Sequence, residues 1–262
     1  MNTLSLIPVT GIPEIAVDSD LISVLLSALN TLSVQKGDVL VLTHKILSKA
    51  CGLTVYLPDV VPSPQAEVLG ETTGKDPRLM EVILQNCHTV YACDRGLLIA
   101  ERRDGWTCCN AGVDASNSGA PDTVVLLPED CDAQAATISQ KLSEFFGFSL
   151  PVIICDTHGR ALRNGTTGVA VGVWGLEPIR YYKGQKDCNG RTLMTTQEAV
   201  ADEIASAATL VMGQGGEGIP VVLVRGFPYT PANMDSSSLQ RPTSQRLYHL
   251  RGTPFPGKKK TN

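Results

Sequence analysis

The stretch Pro151-Val152-Ile153-Ile154-Cys155-Asp156-Thr157-His158-Gly159-Arg160 carries the pattern that decides how this chain folds. Its first half is an apolar run that predicts a buried strand, and a polar segment with one lone Asp follows directly. A second lone Asp lies in the polar segment Asn110-Ala111-Gly112-Val113-Asp114-Ala115-Ser116-Asn117. An Asp that ends a buried strand and precedes a hydroxyl and a glycine is a common way to hold a hard cation near phosphate oxygens. We therefore predict a cation site at Asp114 and Asp156. The alternative is that Asp114 caps a turn and Asp156 caps a helix.

The segments around this stretch predict a mixture of strands and helices that does not alternate regularly. Further apolar runs predict strands at 39–43, 53–57, 89–93, 97–101, 106–109, 124–127, 168–173 and 219–224. Helical spacing and capping residues predict helices at 22–32, 77–86, 132–146 and 197–212. A capping box of Thr195 and Glu198 is expected to start the last helix, and Ser63-Pro64 and Asp76-Pro77 each read as a cap followed by proline. This irregular order favours an α+β fold, with mixed α/β sheets and flanking helices, over a barrel or a doubly wound sheet.

Composition limits the classes of function. The chain has 262 residues, of which 43% are hydrophobic and 18% charged, and its formal net charge is −4. This balance argues against binding to nucleic acid or to an anionic membrane by bulk electrostatics. Because there is no apolar stretch long enough to cross a bilayer and no basic-plus-apolar leader, we expect a cytoplasmic protein without a membrane partner. The scattered cysteines favour a reduced state.

A glycine-rich segment, Gly213-Gln214-Gly215-Gly216-Glu217-Gly218, indicates close approach of backbone N–H groups to a phosphate. The alternative is a simple helix stop. The segment is not a Walker loop, because no Gly-Lys-Ser/Thr follows, and it ends a helix where a Rossmann fingerprint would open one. Several cations beside glycine-rich or strand-end segments indicate a small polyanionic ligand: Lys45, Lys49, Arg160, Arg163, Lys183 and Arg191.

A Cys–His nucleophile made of His158 with Cys108 and Cys109 is a further alternative. Nothing in the spacing of these residues supports it, and we interpret the thiols as buried structural groups. From the residues alone we therefore predict an enzyme that holds one or two hard cations on Asp114 and Asp156 and acts on a phosphate-bearing ligand.

A series of motifs extends this prediction by resemblance. They run in order along the chain: Leu42-Thr43-His44-Lys45-Ile46-Leu47-Ser48-Lys49, Gly74-Lys75-Asp76-Pro77-Arg78-Leu79, the Asn110 to Asn117 segment, Leu127-Pro128-Glu129-Asp130, Asp156-Thr157-x-Gly159-Arg160, Gly165-Thr166-Thr167-Gly168-Val169-Ala170 and Ala199-Val200-Ala201-Asp202-Glu203. Val211-Met212-Gly213-Gln214 and Ile219-Pro220-Val221-Val222-Leu223-Val224-Arg225-Gly226 complete the set. From about residue 11 to residue 225, the chain resembles the coenzyme F-420 γ-glutamyl ligases.

The resemblance implies a family-specific ligase fold, neither Rossmann nor P-loop, over residues 1–245, followed by a partly disordered tail at 246–262. It implies a homodimer that uses GTP to add L-glutamate, through a γ-linked amide, to the deazaflavin precursor of coenzyme F-420. The acceptor carboxylate would first be converted to an acyl phosphate. Because such phosphoryl transfer needs little covalent chemistry from the protein, catalysis would consist mostly of positioning and charge neutralisation. The implied cofactors are two divalent cations, Mg²⁺ or Mn²⁺, with K⁺ assisting.

The resemblance also assigns roles to individual residues. Asp114 and Asp156 would hold one metal and act as the catalytic pair, and Thr157 and Gln214 would serve the second metal. The residues implied to surround GTP are Ile12, Pro13, Glu14, Ile15, His44, Lys45, Lys49, Asn117, Met212, Gly213, Gln214, Gly215, Gly216, Glu217, Gly218 and Ile219. Two alternatives stay open: a related ligase with another carboxylate acceptor, and a metal-dependent nucleotide phosphohydrolase.

Overall fold

The computed structural model describes residues 3–94, 96–160, 163–246 and 253–254. Its helices are α1 (Leu21–Leu29), α2 (His44–Ala50), α3 (Pro64–Thr73), α4 (Pro77–Asn86), α5 (Cys131–Phe146) and α6 (Val200–Met212). Its strands are β1 (Ser5–Pro8), β2 (Val39–Thr43), β3 (Thr54–Tyr56), β4 (Cys87–Asp94), β5 (Leu97–Arg102), β6 (Thr107–Cys109), β7 (Val113–Asp114), β8 (Thr123–Leu126), β9 (Val152–Arg160), β10 (Arg163–Trp174), β11 (Arg180–Tyr181), β12 (Gln197–Glu198), β13 (Val221–Arg225) and β14 (Thr253–Pro254).

A five-stranded sheet with the order β1-β13-β2-β9-β10 forms the centre of the fold. Only β2 and β9 run parallel, and their last paired residues are Thr43 and Cys155. Helices α1, α2 and α5 pack on one face of the sheet and α6 on the other, so its central strands are apolar on both faces. Strand β9 continues past the end of β2 as one arm of a hairpin with β10. Asp156 therefore lies one residue beyond the carboxyl end of β2.

A second, smaller core lies beneath helices α3 and α4. Two antiparallel sheets build this region, with the orders β14-β4-β5-β6 and β3-β8-β7. In the three-stranded sheet Val113 pairs with Leu126 and Asp114 with Val125. Asp114 is therefore the last residue of β7. Helix α2 contacts this sheet, because Ser48 of α2 donates its hydroxyl to the Leu126 carbonyl at 2.7 Å.

The α+β prediction is confirmed, and so are the two proline-flanked caps. Ser63 Oγ accepts from the N–H of Ala66 at 3.3 Å, and Asp76 Oδ1 accepts from the N–H of Arg78 at 2.8 Å. Both caps satisfy backbone donors that the first turn of a helix leaves unpaired. Proline follows each cap at the first helical position.

Two boundaries predicted from the sequence are wrong. Helix α6 begins at Val200 without a side-chain cap, and the expected capping box is absent because Gln197–Glu198 forms a strand against Arg180–Tyr181. The Glu198 carboxylate accepts from the Tyr182 hydroxyl at 2.8 Å instead of from a helix N-terminus. The apolar strand at 151–155 does not end at Asp156 but continues to Arg160, so Asp156 does not cap a helix.

The predicted tail at 246–262 falls largely outside the described residues. Of its described part, Arg246 donates to the Glu101 carboxylate, and Thr253–Pro254 pairs with β4. The division of the chain at residue 245 stays a prediction. Across the described ranges, no helix combines the length and apolar character needed to cross a membrane.

Candidate active site

A cavity of about 780 Å³ opens beyond the carboxyl end of β2. Parallel strands commonly bind ligands at such an end, where the neighbouring strands diverge. Sixteen of the residues predicted for the site line it: Ile12, Pro13, Glu14, Ile15, Lys45, Lys49, Asn117, Asp156, Thr157, Met212, Gly213, Gln214, Gly215, Gly216, Gly218 and Ile219. The fold therefore gathers around one space residues as far apart in the sequence as Ile12 and Ile219.

Three predicted residues lie beside the cavity and do not line it. His44 is buried and contacts Asp156, and Asp114 contacts Lys45; Asp156 and Lys45 are the residues that line the cavity. Glu217 folds back so that its Oε2 accepts from the N–H of Gly215 at 2.8 Å. Of the other predicted cations, Arg160, Arg163, Lys183 and Arg191 are exposed and do not line this space.

Sequence reasoning missed several wall residues. They are Thr43, Ile46, Ser118, Gly119, Ala120, Pro121, Cys155, Thr209 and Pro220. The Ser-Gly-Ala-Pro run directly after the predicted residue Asn117 has the composition of a turn and was a usable indication. Thr209 carried no such indication, because only the packing of α6 against the central sheet brings it to the cavity.

Consecutive residues at the start of α2 contact the two aspartates. Strand β2 leads into α2 at Thr43, whose side chain accepts from the N–H of Lys45. His44 Nε2 lies 3.5 Å from Asp156 Oδ1, and Lys45 Nζ lies 2.7 Å from Asp114 Oδ2. One helical turn thus couples an aspartate of the central sheet to an aspartate of the smaller region.

Asp156 is a largely buried carboxylate between two imidazoles. His44 contacts Oδ1, whereas His158 Nε2 lies 3.4 Å from Oδ2, and the His158 ring packs edge-on against Trp106. Burial by itself raises the pKa of the Asp156 carboxyl, but the attraction of His44 and His158 outweighs burial and holds this pKa well below its usual range. Asp156 is therefore an anion at neutral pH. Neither imidazole Nε2 has a hydrogen-bond partner.

Asp114 combines a turn cap with an ion pair. Its Oδ1 accepts from the N–H of Ser116 at 2.7 Å, so the capping alternative raised for this residue is correct in part. Its Oδ2 pairs with Lys45, whose ammonium also donates to Ser116 Oγ at 2.6 Å. Burial by itself raises the pKa of the Asp114 carboxyl, but Lys45 and the hydrogen bonds from Ser116 together outweigh burial and lower this pKa.

Two groups that line the cavity and could bind a phosphate, an ammonium and a backbone N–H, contact acidic side chains instead. The Lys49 ammonium pairs with Glu14, and the N–H of Gly215 donates to Glu217. The glycine loop holds a left-handed backbone at Gly213 (φ 72°) and Gly218 (φ 68°), and such turns direct successive N–H groups into a concave surface. A phosphate in the cavity would replace these two carboxylates as the partner of Lys49 and of Gly215.

The donor set fits a divalent cation that binds together with a phosphate ligand. Asp156, Thr157 and Gln214 offer carboxylate, hydroxyl and amide oxygens to one cavity. In the part of the chain that the structure describes, no three His, Cys, Asp or Glu side chains converge as a closed metal cage. Mg²⁺ needs no such cage, since one or two carboxylates together with water and substrate phosphates satisfy it.

The two neighbouring thiols are unsuited to nucleophilic attack. Burial raises the pKa of Cys108 to about 12 and also raises the pKa of Cys109. A thiol needs a lowered pKa to be reactive at neutral pH. The interpretation of these cysteines as structural groups agrees with the upward direction of both shifts.

Comparisons with known proteins identify the family of this chain. The sequence profile of the F420-0:Gamma-glutamyl ligase family matches residues 11–226. A coenzyme F420:L-glutamate ligase of Methanothermobacter thermautotrophicus is 44% identical over 228 residues, which cover 86% of this chain and 90% of the relative. The enzyme of the same name from Methanopyrus kandleri is 45% identical, over 74% of this chain and 76% of the relative. That from Methanosarcina mazei is 38% identical, over 76% of this chain and 77% of the relative. The chain therefore belongs to the F420-0:gamma-glutamyl ligase family.

Proposed function

We propose that this ligase uses GTP to join L-glutamate, through a γ-linked amide, to the deazaflavin precursor F420-0 in coenzyme F420 biosynthesis. The relatives described above are named coenzyme F420:L-glutamate ligases, which supports the choice of acceptor and of glutamate. The observation that carries the proposal is the cavity at the end of β2. It combines the ionised Asp156, the ammonium groups of Lys45 and Lys49, and the Gly213–Gly218 loop.

The proposed reaction has two steps. The terminal carboxylate of the acceptor attacks the γ-phosphorus of GTP, which gives an acyl phosphate and releases GDP. The neutral amine of glutamate then attacks the acyl carbon and loses one proton as the amide bond forms. Inorganic phosphate leaves with the electron pair of the broken C–O bond. Since phosphoryl transfer needs little covalent chemistry from the protein, positioned charges supply most of the acceleration.

The residues of this chain have defined tasks in that reaction. Lys45 and Lys49 neutralise phosphate charge. When the nucleotide binds, the Lys49 ammonium leaves the Glu14 carboxylate and pairs with a phosphate oxygen. The N–H groups of the glycine loop donate to phosphate oxygens as Gly215 now donates to Glu217. Asp156, Asp114, Thr157 and Gln214 would hold divalent cations, which stabilise the charge that develops on the transferred phosphoryl group.

A partial reaction tests the acyl phosphate and separates the ligase from a phosphohydrolase. When hydroxylamine replaces glutamate in the presence of GTP, Mn²⁺ and K⁺, we expect an acyl hydroxamate to form in the same amount as GDP. GDP release should require the acceptor, because the acceptor carboxylate is the group that attacks the γ-phosphorus. Mass spectrometry and chromatography measure the two products.

An acceptor whose terminal carboxylate is converted to an amide is the matched control, and it should release no GDP. GDP release at the same rate with no acceptor would contradict the ligase and favour the phosphohydrolase. GDP release that depends on the acceptor but gives no hydroxamate would contradict the acyl phosphate alone.

A further inference from the structure

The turn that leads to Asp114 has an unusual backbone. Asn110 and Ala111 both have φ of 52°, and Gly112 has φ of 70°, so three consecutive residues lie in the left-handed region. For an alanine this conformation costs about 1–2 kcal/mol. Ala111 is also fully buried. Such a conformation persists only where the surrounding structure holds it, and it is concentrated at functional sites.

A buried arginine holds this turn. Arg102 at the end of β5 donates from Nη1 to the carbonyls of Ala111 at 3.4 Å and of Leu127 at 3.2 Å, and from Nη2 to the Pro128 carbonyl at 3.0 Å. Its charge is balanced by Asp104, whose Oδ2 accepts from Nη2 at 2.8 Å. The planar guanidinium serves three carbonyls and a carboxylate at once, which the single ammonium of a lysine cannot do.

A second cation holds the turn from another element. Lys75, which follows α3, donates from Nζ to Asn110 Oδ1 at 2.9 Å. The turn is also packed tightly, because a Cβ added at Gly112 would lie 3.0 Å from the Leu127 Cβ and 3.4 Å from Arg102 Nη1. The backbone before Asp114 is thus fixed from two directions by groups that do not line the cavity.

This turn determines where the Asp114 carboxylate lies. Only Val113 separates the turn from Asp114, and β7 consists of these two residues alone. Asp114 then contacts Lys45 across the boundary to α2. We propose that Arg102 is a positioning residue, which clamps the Asn110–Gly112 turn so that Asp114 is held in place to bind the metal. This inference rests on the proposed function, in which Asp114 is a metal ligand.

Binding of Mn²⁺ tests the proposal without an activity assay. The spectrum of free Mn²⁺, recorded by electron paramagnetic resonance in the presence of a non-hydrolysable GTP analogue, gives the affinity of the 262-residue chain for Mn²⁺. For Arg102→Lys we expect Mn²⁺ binding that is about 10–100-fold weaker, the usual effect of removing a group that orients a metal ligand. Turnover at saturating Mn²⁺ should fall much less than turnover at limiting Mn²⁺.

Two further variants make the test independent of folding losses. Asn110→Gly removes the oxygen that Lys75 holds but tolerates the left-handed backbone, and it should also weaken Mn²⁺ binding. Arg103→Gln is the matched control and should bind Mn²⁺ like the wild type. Arg103 is exposed, and its described hydrogen bond goes to the Gln85 carbonyl, which is not part of the turn.

The outcomes are distinct. If folded Arg102→Lys and Asn110→Gly bind Mn²⁺ as tightly as the wild type and lose only thermal stability, Arg102 is purely structural and the proposal is overturned. If Arg102→Lys does not fold, Asn110→Gly alone decides between the two outcomes. If the wild type itself binds no Mn²⁺ with the nucleotide analogue, the proposed metal chemistry fails, and the inference fails with it.

Discussion

Replacing Asp156 with Asn is expected to reduce kcat/KM for glutamate ligation by roughly 1,000-fold, the size of effect that corresponds to several kcal/mol of lost charge stabilisation. The substitution keeps the shape of the side chain but removes its negative charge. Metal-dependent GTP binding should weaken at the same time, because Asp156 is an anion in the wild type. The fold should survive, since the amide has nearly the shape of the carboxylate and can keep its place between His44 and His158.

Steady-state kinetics, Mn²⁺-dependent binding of a GTP analogue and far-ultraviolet circular dichroism measure these effects. Asp130→Asn provides a matched exchange outside the cavity. Asp130 caps α5 by accepting from the N–H of Ala133 at 2.8 Å, and Asn caps helices as well as Asp does. Wild-type turnover in the Asp156 variant would show that the metal assignment is wrong.

Replacing Gly172 with Ala is expected to destabilise the fold by about 3 kcal/mol, near the upper end of the usual cost of overpacking. A Cβ at this position would lie 2.5 Å from the Cys131 carbonyl oxygen and 2.6 Å from its carbon. These are backbone atoms at the start of α5, so no flexible side chain can move aside. The Asp132 carboxylate, which accepts from the N–H of Val173 at 2.7 Å, ties the same start of α5 to β10.

Thermal unfolding measures this prediction. In a protein of this size about 1 kcal/mol corresponds to roughly 2–4 °C in the unfolding midpoint, so we expect a decrease of roughly 6–12 °C. Gly216→Ala is the control, because nothing lies within 4 Å of a Cβ there and the backbone is not left-handed. Equal midpoints for the two variants would contradict the close contact between α5 and β10.

Features governed by local chemistry could be predicted from the sequence. The apolar runs at 39–43 and 219–224 correspond to β2 and β13, because buried strands covered on both faces need continuous apolar residues. Gly147 ends α5 with φ of 77°, as a left-handed C-cap requires. Aspartates, glycines and lysines indicated a cation and a phosphate. Only the resemblance to a family named guanine, glutamate and deazaflavin.

Features set by long-range pairing could not be predicted in the same way. The polar arm of β9 beyond Cys155 has no apolar pattern, and it is a strand because β10 pairs with it as far as Arg160. The role of Glu198 depends on Arg180 of β11 and on Tyr182, which follows that strand directly. Arg102 appeared in no pattern, although it holds the turn before Asp114. These are tertiary contacts that override local preference.

Mass spectrometry of a complete reaction tests the proposed function most directly. Purified protein, GTP, Mn²⁺, K⁺, L-glutamate and F420-0 are incubated together, with parallel reactions that lack one substrate each. We predict a product heavier than the acceptor by one glutamyl residue, linked through the γ-carboxyl, with one GDP formed for each glutamate added. Absence of any glutamylated deazaflavin from a folded protein that binds GTP would contradict the proposed function.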